Sequence, residues 1–178
     1  MMKSFVKALL TVVIIAAILF GLAFCLNGLA TKNAQTIHLQ TMTTLLPGSD
    51  SFQVEPYSGE DPLIRSVHKG QTGFVVETAA AGYADEITVL VGVTKEGSVT
   101  GIVVKDMHET LGLGWNALTD WEFLAQFLKT TGEAEVGVTV DALTGATVTS
   151  KTIARCVNSA VAFVTGADTT SSATSWGG

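Results

Sequence analysis

The sequence predicts an α+β fold in which helices flank an antiparallel sheet, preceded by one N-terminal transmembrane helix. Three features of the 178 residues support this prediction: a long charge-free run near the N-terminus, a middle section of alternating apolar residues, and two amphipathic segments in the second half. Strands and helices do not alternate in a regular βαβ rhythm, which favours α+β over a doubly wound sheet.

The N-terminal segment 1–27 has the properties of a membrane anchor. No charged residue occurs over positions 8–26, close to the ~20 residues that cross a bilayer as a helix. Lys3 and Lys7 precede this run, so we expect a single-pass protein of the bacterial inner membrane, with a cytoplasmic N-terminus and an extracytoplasmic domain. A cleaved signal peptide, whose apolar core is shorter at ~7–15 residues, and a lipid-anchored Cys25 are the alternatives.

A helical stalk and connector are predicted to follow over residues 28–62. Apolar residues recur at loosely helical intervals as far as Leu46, and Pro47-Gly48 ends this run. The stretch 49–61 is polar and interrupted by proline and glycine, a composition that is typical of a connector.

The main domain, predicted over 63–166, begins with strand candidates. These candidates are residues 63–68, 73–80, 86–94 and 99–104. Lys95-Glu96-Gly97, between the last two, is a hairpin signal because Gly97 can adopt a positive φ. The middle of the chain is therefore predicted to be an antiparallel meander.

Two helices and a short strand are predicted after the meander. Thr119-Asp120-Trp121-Glu122 fits a capping box that opens a helix with Trp121 on its buried face, and Gly132 is the expected stop. A strand is expected over 136–140 and a second amphipathic helix over 150–164. Residues 167–178 are rich in Ser, Thr and Gly and are predicted to be a disordered tail.

Composition and residue spacing argue against several kinds of site. The net charge is −6, and an acidic chain repels nucleic acid. Cys25 and Cys156 form neither a disulfide framework nor a metal-ligand spacing, and the three histidines are scattered. No Gly-x-Ser-x-Gly elbow occurs. No catalytic residue and no metal ligand is therefore assigned, and it stays open whether the chain is an enzyme by itself.

The segment 141–150, between the predicted strand and the second helix, is the strongest candidate site. Gly145 permits a tight turn and a close approach of the backbone to a ligand. We expect the helix to begin near Thr149 or Ser150, and its free amides and positive dipole end form an anion site. Hydroxyl donors for a phosphate are available on Thr144, Thr147, Thr149 and Ser150. An ordinary helix N-cap is the alternative interpretation.

The run Asp141-Ala142-Leu143-Thr144-Gly145-Ala146-Thr147 resembles the flavinylation motif of the FMN-binding domain family. That family includes the G subunit of the Rnf electron-transport complex and the C subunit of the sodium-translocating NADH:quinone reductase. The resemblance implies that a flavin transferase moves FMN from FAD onto the last threonine, here Thr147, as a phosphoester. It also implies that the cofactor is bound by Asp141, Leu143, Thr144, Gly145, Ala146 and Thr149.

A second run, Glu109-Thr110-Leu111-Gly112-Leu113-Gly114, resembles the Glu-Thr-Pro-Gly-Leu-Gly signature of the same family, which lies against the flavin. Leu111 replaces the usual proline, so the turn is expected to be less rigid. The resemblance implies that all six residues contribute to the cofactor site. Residues 112–117 also fit a dinucleotide-binding pattern, but the preceding strands look antiparallel, and the βαβ context of an NAD site is missing.

The resemblance covers nearly the whole chain and implies an electron relay. A tethered FMN exchanges one or two electrons, and no cysteine cluster for an iron–sulfur centre accompanies it. The expected partners are other subunits of an ion-translocating ferredoxin:NAD oxidoreductase complex of the Rnf type, a flavin transferase for maturation, and the membrane. Two alternatives stay open: a stand-alone extracytoplasmic flavoprotein that serves another reductase, and a membrane-anchored interaction module without flavin.

Overall fold

The computed structural model describes residues 18–24, 35–107 and 120–167. The chain divides into two compact units, Met1–Gln40 and Thr41–Gly178. Residues 18–24 of the first unit are helical, and most of the anchor predicted over 1–27 lies outside the described residues. Within the described residues, no helix combines the length and the apolar character that crossing a membrane requires.

Five strands of the second unit form one antiparallel sheet in which each strand pairs with the next along the chain. They are β1 (Gln53–Glu55), β2 (Ile64–Lys69), β3 (Gly73–Ala81), β4 (Glu86–Thr94) and β5 (Val99–Met107). The predicted meander is confirmed, and β4 has the predicted bounds. β1 lies in the polar stretch predicted as a connector. The sequence does not predict this strand, because its three residues are too few to show an alternating pattern.

β4 and β5 are joined by the turn that the sequence predicts. Gly97 has a φ of +88°, and its amide donates to the carbonyl of Thr94 at 3.0 Å. The amide of Thr94 in turn donates to the carbonyl of Ser98 at 2.9 Å. Because a side chain is strained at such a φ, the glycine fixes the position of the turn and with it the register of the two strands.

One face of the sheet is covered by helix α3 (Thr147–Thr165). Its apolar side chains share one core with alternate residues of β4, namely Ile87, Val89, Val91 and Val93. The helix begins at Thr147 rather than near Thr149 or Ser150, because the turn before it ends at Gly145 and Ala146 is already the N-cap residue. It ends where Gly166 adopts a φ of +70°.

Helix α2 (Trp121–Ala125) is shorter than predicted and has a different cap. Asp120 is the N-cap residue, and its Oδ1 accepts from the amide of Phe123 at 3.0 Å. Trp121 is 68% exposed, so the prediction that it faces the core is wrong. Phe123 and Phe127 are buried instead, with their rings packed edge-to-face at 5.3 Å, and the helix is already over before Gly132.

The strand predicted over 136–140 is a tight loop instead, with one isolated bridge between Val136 and Val140. Gly137 has a φ of +90°. The hydroxyl of Thr139 accepts from the amide of Glu135 at 2.8 Å, and these local hydrogen bonds compete with an extended backbone. The prediction fails because apolar alternation over so few residues does not outweigh a glycine that favours a turn.

The opposite face of the sheet receives the end of helix α1 (35–45). Met42, Leu45 and Leu46 form a second core with Val75 and Leu90. Two glycines of the sheet permit this contact. A Cβ on Gly92 would collide with the carbonyl oxygen of Leu45, and one on Gly101 would lie 2.9 Å from the Leu45 Cα.

The first turns of α3 lie beside the connection between β3 and β4. The hydroxyl of Thr152 donates to the carbonyl of Ala81, the last residue of β3, at 2.9 Å. Met107, the last residue of β5, pairs with Ile87 at the start of β4. The chain therefore leaves β5 at the end of the sheet where α3 begins, two residues before Glu109.

Candidate functional site

The segment before α3 is a tight turn centred on Thr144 and Gly145. The amide of Ala146 donates to the carbonyl of Leu143 at 3.0 Å, and Gly145 has a φ of +75°. A positive φ at the third position of such a turn suits glycine and strains other residues. The predicted tight turn at Gly145 is confirmed, and it delivers Thr147 to the first position of the helix.

Thr147 is exposed and stands at a helix end that no side chain caps. Ala146 is the N-cap residue, and the first turn of α3 contains no acidic residue. No hydrogen bond joins the Thr147 hydroxyl to another residue of the part that the structure describes. Amides at a helix start lack intrahelical acceptors, and the dipole there favours an anion. Thr147 is thus not the cap, and the arrangement fits a phosphate.

The other hydroxyls of the motif are placed differently from one another. Thr144 is exposed, whereas Thr149 and Ser150 are buried. The Oγ of Ser150 accepts from the amide of Leu143 at 3.1 Å and donates to the carbonyl of Ala146 at 2.9 Å. The prediction that Ser150 offers a donor to a phosphate is wrong, because its proton is already donated to the carbonyl of Ala146.

Two side chains outside the motif hold the segment that leads into it. Asn158 of α3 accepts from the amide of Ala134 at 3.0 Å and donates to the carbonyl of the same residue at 2.9 Å. The Oε1 of Gln126 accepts from the amide of Asp141 at 2.8 Å. The sequence does not identify either residue, because each binds a backbone group distant along the chain and no local pattern marks such a pair.

Lys151 is the first charged residue of α3 and lies four residues after Thr147. Both side chains are exposed. Side chains four positions apart share one face of a helix and lean towards its N-terminus. Lys151 therefore adds positive charge to the face of α3 that carries Thr147.

The second predicted binding segment, Glu109 to Gly114, lies outside the described residues. The strand that leads to it, β5, is antiparallel to β4. In the part of the chain that the structure describes, no group of three or more His, Cys, Asp or Glu side chains could hold a metal ion.

Comparisons with known proteins connect this geometry to a family. Residues 82–162 match the FMN-binding domain. The chain is 30% identical to the G subunit of the proton-translocating ferredoxin:NAD(+) oxidoreductase complex of Clostridium ljungdahlii, over 88% of this chain and 87% of that one. The chain belongs to the family of these G subunits. The G subunit of the ion-translocating oxidoreductase complex of Methanosarcina acetivorans is also 30% identical, over 91% of this chain and 95% of its own.

A further member of the G-subunit family matches over a shorter length. The G subunit of the Na(+)-translocating ferredoxin:NAD(+) oxidoreductase complex of Acetobacterium woodii is 35% identical over 50% of this chain and 47% of its own. In the present member of the family, the FMN-binding domain runs from the connection after β3 into α3. It contains Gln126, the turn at Gly145 and Thr147, so the site described above lies inside the FMN-binding domain.

Proposed function

We propose that this chain carries FMN as a phosphoester on Thr147 and relays electrons in an ion-translocating ferredoxin:NAD oxidoreductase complex of the Rnf type. The observation that carries the proposal is the exposed Thr147 hydroxyl at the first position of α3, where no side chain caps the helix. The resemblance of residues 141–147 to a flavinylation motif and the match to the FMN-binding domain support it.

Attachment exchanges one phosphorus–oxygen bond for another. The Oγ of Thr147 forms a bond to the FMN phosphorus of FAD, while the bond from that phosphorus to the bridging oxygen of the pyrophosphate breaks and AMP leaves. The hydroxyl proton passes to a base on the flavin transferase, and no atom is oxidised or reduced. Exposure of Thr147 allows the transferase to reach it.

The start of α3 would then hold the phosphate of the ester. The amides of the first turn and the ammonium of Lys151 supply positive charge. Gly145 keeps the turn closed, and the proposed contacts are Asp141, Leu143, Thr144, Gly145, Ala146 and Thr149, together with residues 109–114. Bound FMN supplies one- and two-electron redox chemistry.

The partners of the chain and its location in the membrane form the rest of the proposal. The relatives are named as subunits of ion-translocating oxidoreductase complexes, so other subunits of such a complex are the proposed electron donor and acceptor. A flavin transferase would mature the chain. The apolar run 8–26 would anchor it in the cell membrane with a cytoplasmic N-terminus and the FMN-binding domain on the extracytoplasmic side.

Attachment is tested by producing the chain with a flavin transferase and examining the denatured protein for flavin fluorescence in its gel band, with intact mass as a second measurement. Thr147→Ala is expected to abolish both signals, and Thr147→Ser, which keeps a hydroxyl, is expected to retain some labelling. Thr165→Ala, at the other end of the same helix, is the matched control and should label fully.

A non-fluorescent wild-type band, beside a labelled known substrate of the transferase, would contradict the proposal and favour an interaction module without flavin. Labelling that persists in Thr147→Ala would place the ester on another residue. Purification of the labelled chain from native membranes separates the two flavoprotein alternatives. Co-purifying oxidoreductase subunits support the relay, whereas an isolated labelled chain supports a stand-alone flavoprotein.

A further inference from the structure

Side-chain hydrogen bonds hold the backbone that leads into α3 at Ala134, Asp141 and Leu143. Asn158 binds both polar groups of Ala134, and Ser150 binds the amide of Leu143. Between these points, Gln126 binds the amide of Asp141 at 2.8 Å. Asn158 and Ser150 belong to α3 itself. Gln126 alone among these three comes from another element, since it is the residue that ends α2.

The backbone of Gln126 is held by the packing around it. The residue is half-buried and lies directly before Phe127, which is fully buried and packs edge-to-face against Phe123 at 5.3 Å. The amide of Gln126 also donates to the carbonyl of Phe123 at 3.2 Å. Because the backbone of Gln126 is held by its bond to Phe123 and by the buried side chain of Phe127, less freedom is lost when its Oε1 accepts a hydrogen bond.

The hydrogen bond from Asp141 to Gln126 therefore fixes one end of the attachment motif. Asp141 is the first residue of the motif, and Thr147 is the last. The other end is fixed by Ser150 and by the first turn of α3. With both ends held, the loop keeps one conformation before any ligand arrives, and a preorganised loop loses less entropy when another protein binds it.

We propose that Gln126 is a positioning residue for flavin attachment: it holds the Asp141 backbone so that the motif meets the flavin transferase in one defined shape. This inference rests on the proposed function, because it concerns transfer of FMN to Thr147. Gln126 acts through Asp141 and touches neither FAD nor the reacting oxygen. It connects the first residue of the attachment motif to the C-cap of α2.

The chain contains a matched pair for testing this role. The Oε1 of Gln71 also accepts from the amide of an aspartate, Asp50, at 3.0 Å, but in the connection between β2 and β3. Gln126→Met and Gln71→Met each remove a hydrogen bond from an aspartate amide, and Gln71→Met also removes the one that the Gln71 Nε2 donates to the Ser51 hydroxyl at 3.2 Å. Gln126→Glu keeps an oxygen acceptor of the same length, and Gln126→Asn keeps the amide but is one methylene too short.

The experiment follows labelling of the full chain in detergent by purified flavin transferase and FAD, and obtains kcat/KM from gel fluorescence. Hydrogen exchange of the peptide that contains Asp141 and the thermal midpoint are measured in parallel. Gln126→Met and Gln126→Asn should lower kcat/KM roughly two- to ten-fold, the scale of one hydrogen bond. Exchange at Asp141 should rise in both. Gln126→Glu and Gln71→Met should label within about two-fold of wild type.

The proposal is overturned if Gln126→Met and Gln126→Asn exchange faster at Asp141 yet label at the wild-type rate. Equal slowing in Gln71→Met would also overturn it, because the effect would then be general destabilisation. Should Gln126→Met fail to fold, Gln126→Asn and Gln126→Glu still decide the matter. Failure of the proposed function has a different signature, since wild type would then stay unlabelled or Thr147→Ala would label.

Discussion

Single residues determine why Thr147 is available for modification. Gly145 turns the chain with a φ of +75°, a conformation that costs an L side chain about 1–2 kcal/mol. Ala146 then occupies the N-cap position, where Ser, Thr, Asp or Asn would be the stabilising choice. Because no side chain caps this end of the helix, the start of α3 can receive a phosphate, and the exposed Thr147 hydroxyl is available for the proposed ester.

At the same scale, Cys156 makes stability sensitive to alkaline pH. The thiol lies on the buried face of α3, and burial raises its pKa from an ordinary 9.0 to about 11. In the unfolded chain the thiol loses its proton first, so this contribution to stability is complete below pH 9 and is lost as pH rises towards 11. Over that window the loss should be on the order of 2 kcal/mol.

Urea denaturation of wild type and Cys156→Ala at about pH 8 and about pH 10.5 measures this contribution. Cys156→Ala should be less stable at the lower pH because it leaves a cavity, but its stability should fall less between the two pH values. Equal falls in both proteins would show that Cys156 does not carry the pH dependence.

Individual elements meet the sheet on its two faces in different ways. α3 packs through a broad set of branched side chains against β4. The end of α1 instead makes a close backbone contact, in which Leu45 lies against Gly92 and Gly101 and its carbonyl accepts from the Thr100 hydroxyl at 2.6 Å. Residues 42–46 are therefore held on the face opposite to the helix that carries Thr147.

Substitution of Gly92 tests this contact. Gly92→Ala places a methyl group against the Leu45 carbonyl oxygen, which is backbone and cannot rotate away. We expect a loss of about 1–3 kcal/mol in the free energy of unfolding, as for other overpacked cores. Thr100→Val removes the hydrogen bond without adding bulk there and should cost about 1 kcal/mol. Chemical denaturation measures both values, and an unchanged midpoint for Gly92→Ala would contradict the contact.

At the scale of the whole molecule, the helix that carries Thr147 and the strand that precedes residue Glu109 meet at one end of the sheet. The start of α3 lies beside the end of β3, and β5 ends at the same place two residues before Glu109. The antiparallel pairing of β4 with β5 thus brings the end of β5 to the end of the sheet where α3 begins. The proposed relay requires that this domain stand on a defined side of the membrane.

The proposed topology is tested by protease treatment of spheroplasts that contain the flavin-labelled chain. An extracytoplasmic domain should be digested in intact spheroplasts, with loss of the fluorescent full-length band, while a cytoplasmic marker protein survives. If the band persists until the spheroplasts are lysed, the domain lies in the cytoplasm and the topology inferred from Lys3 and Lys7 is wrong.

The sequence predicts those features whose causes are local. β4 alternates regularly and has the predicted bounds, and the turns at Gly97 and Gly145 occur where glycine is needed for a positive φ. Predictions fail where packing or capping competes with the pattern. Trp121 is exposed, because the core beside α2 is filled by Phe123, within the helix, and by Phe127, two residues after its end.

By itself the sequence determines the antiparallel meander of β2 to β5, the tight turn before the second helix, and the motifs that resemble the FMN-binding domain family, because each depends on residues near one another along the chain. The tertiary structure alone decides that Thr147 opens α3 uncapped, that Ser150 faces inwards, that Gln126 holds the Asp141 backbone and that Asn158 holds the backbone of Ala134. The bonds of Gln126 and Asn158 join residues 15 and 24 positions apart, and local propensity carries no information about which distant groups will meet when the core packs.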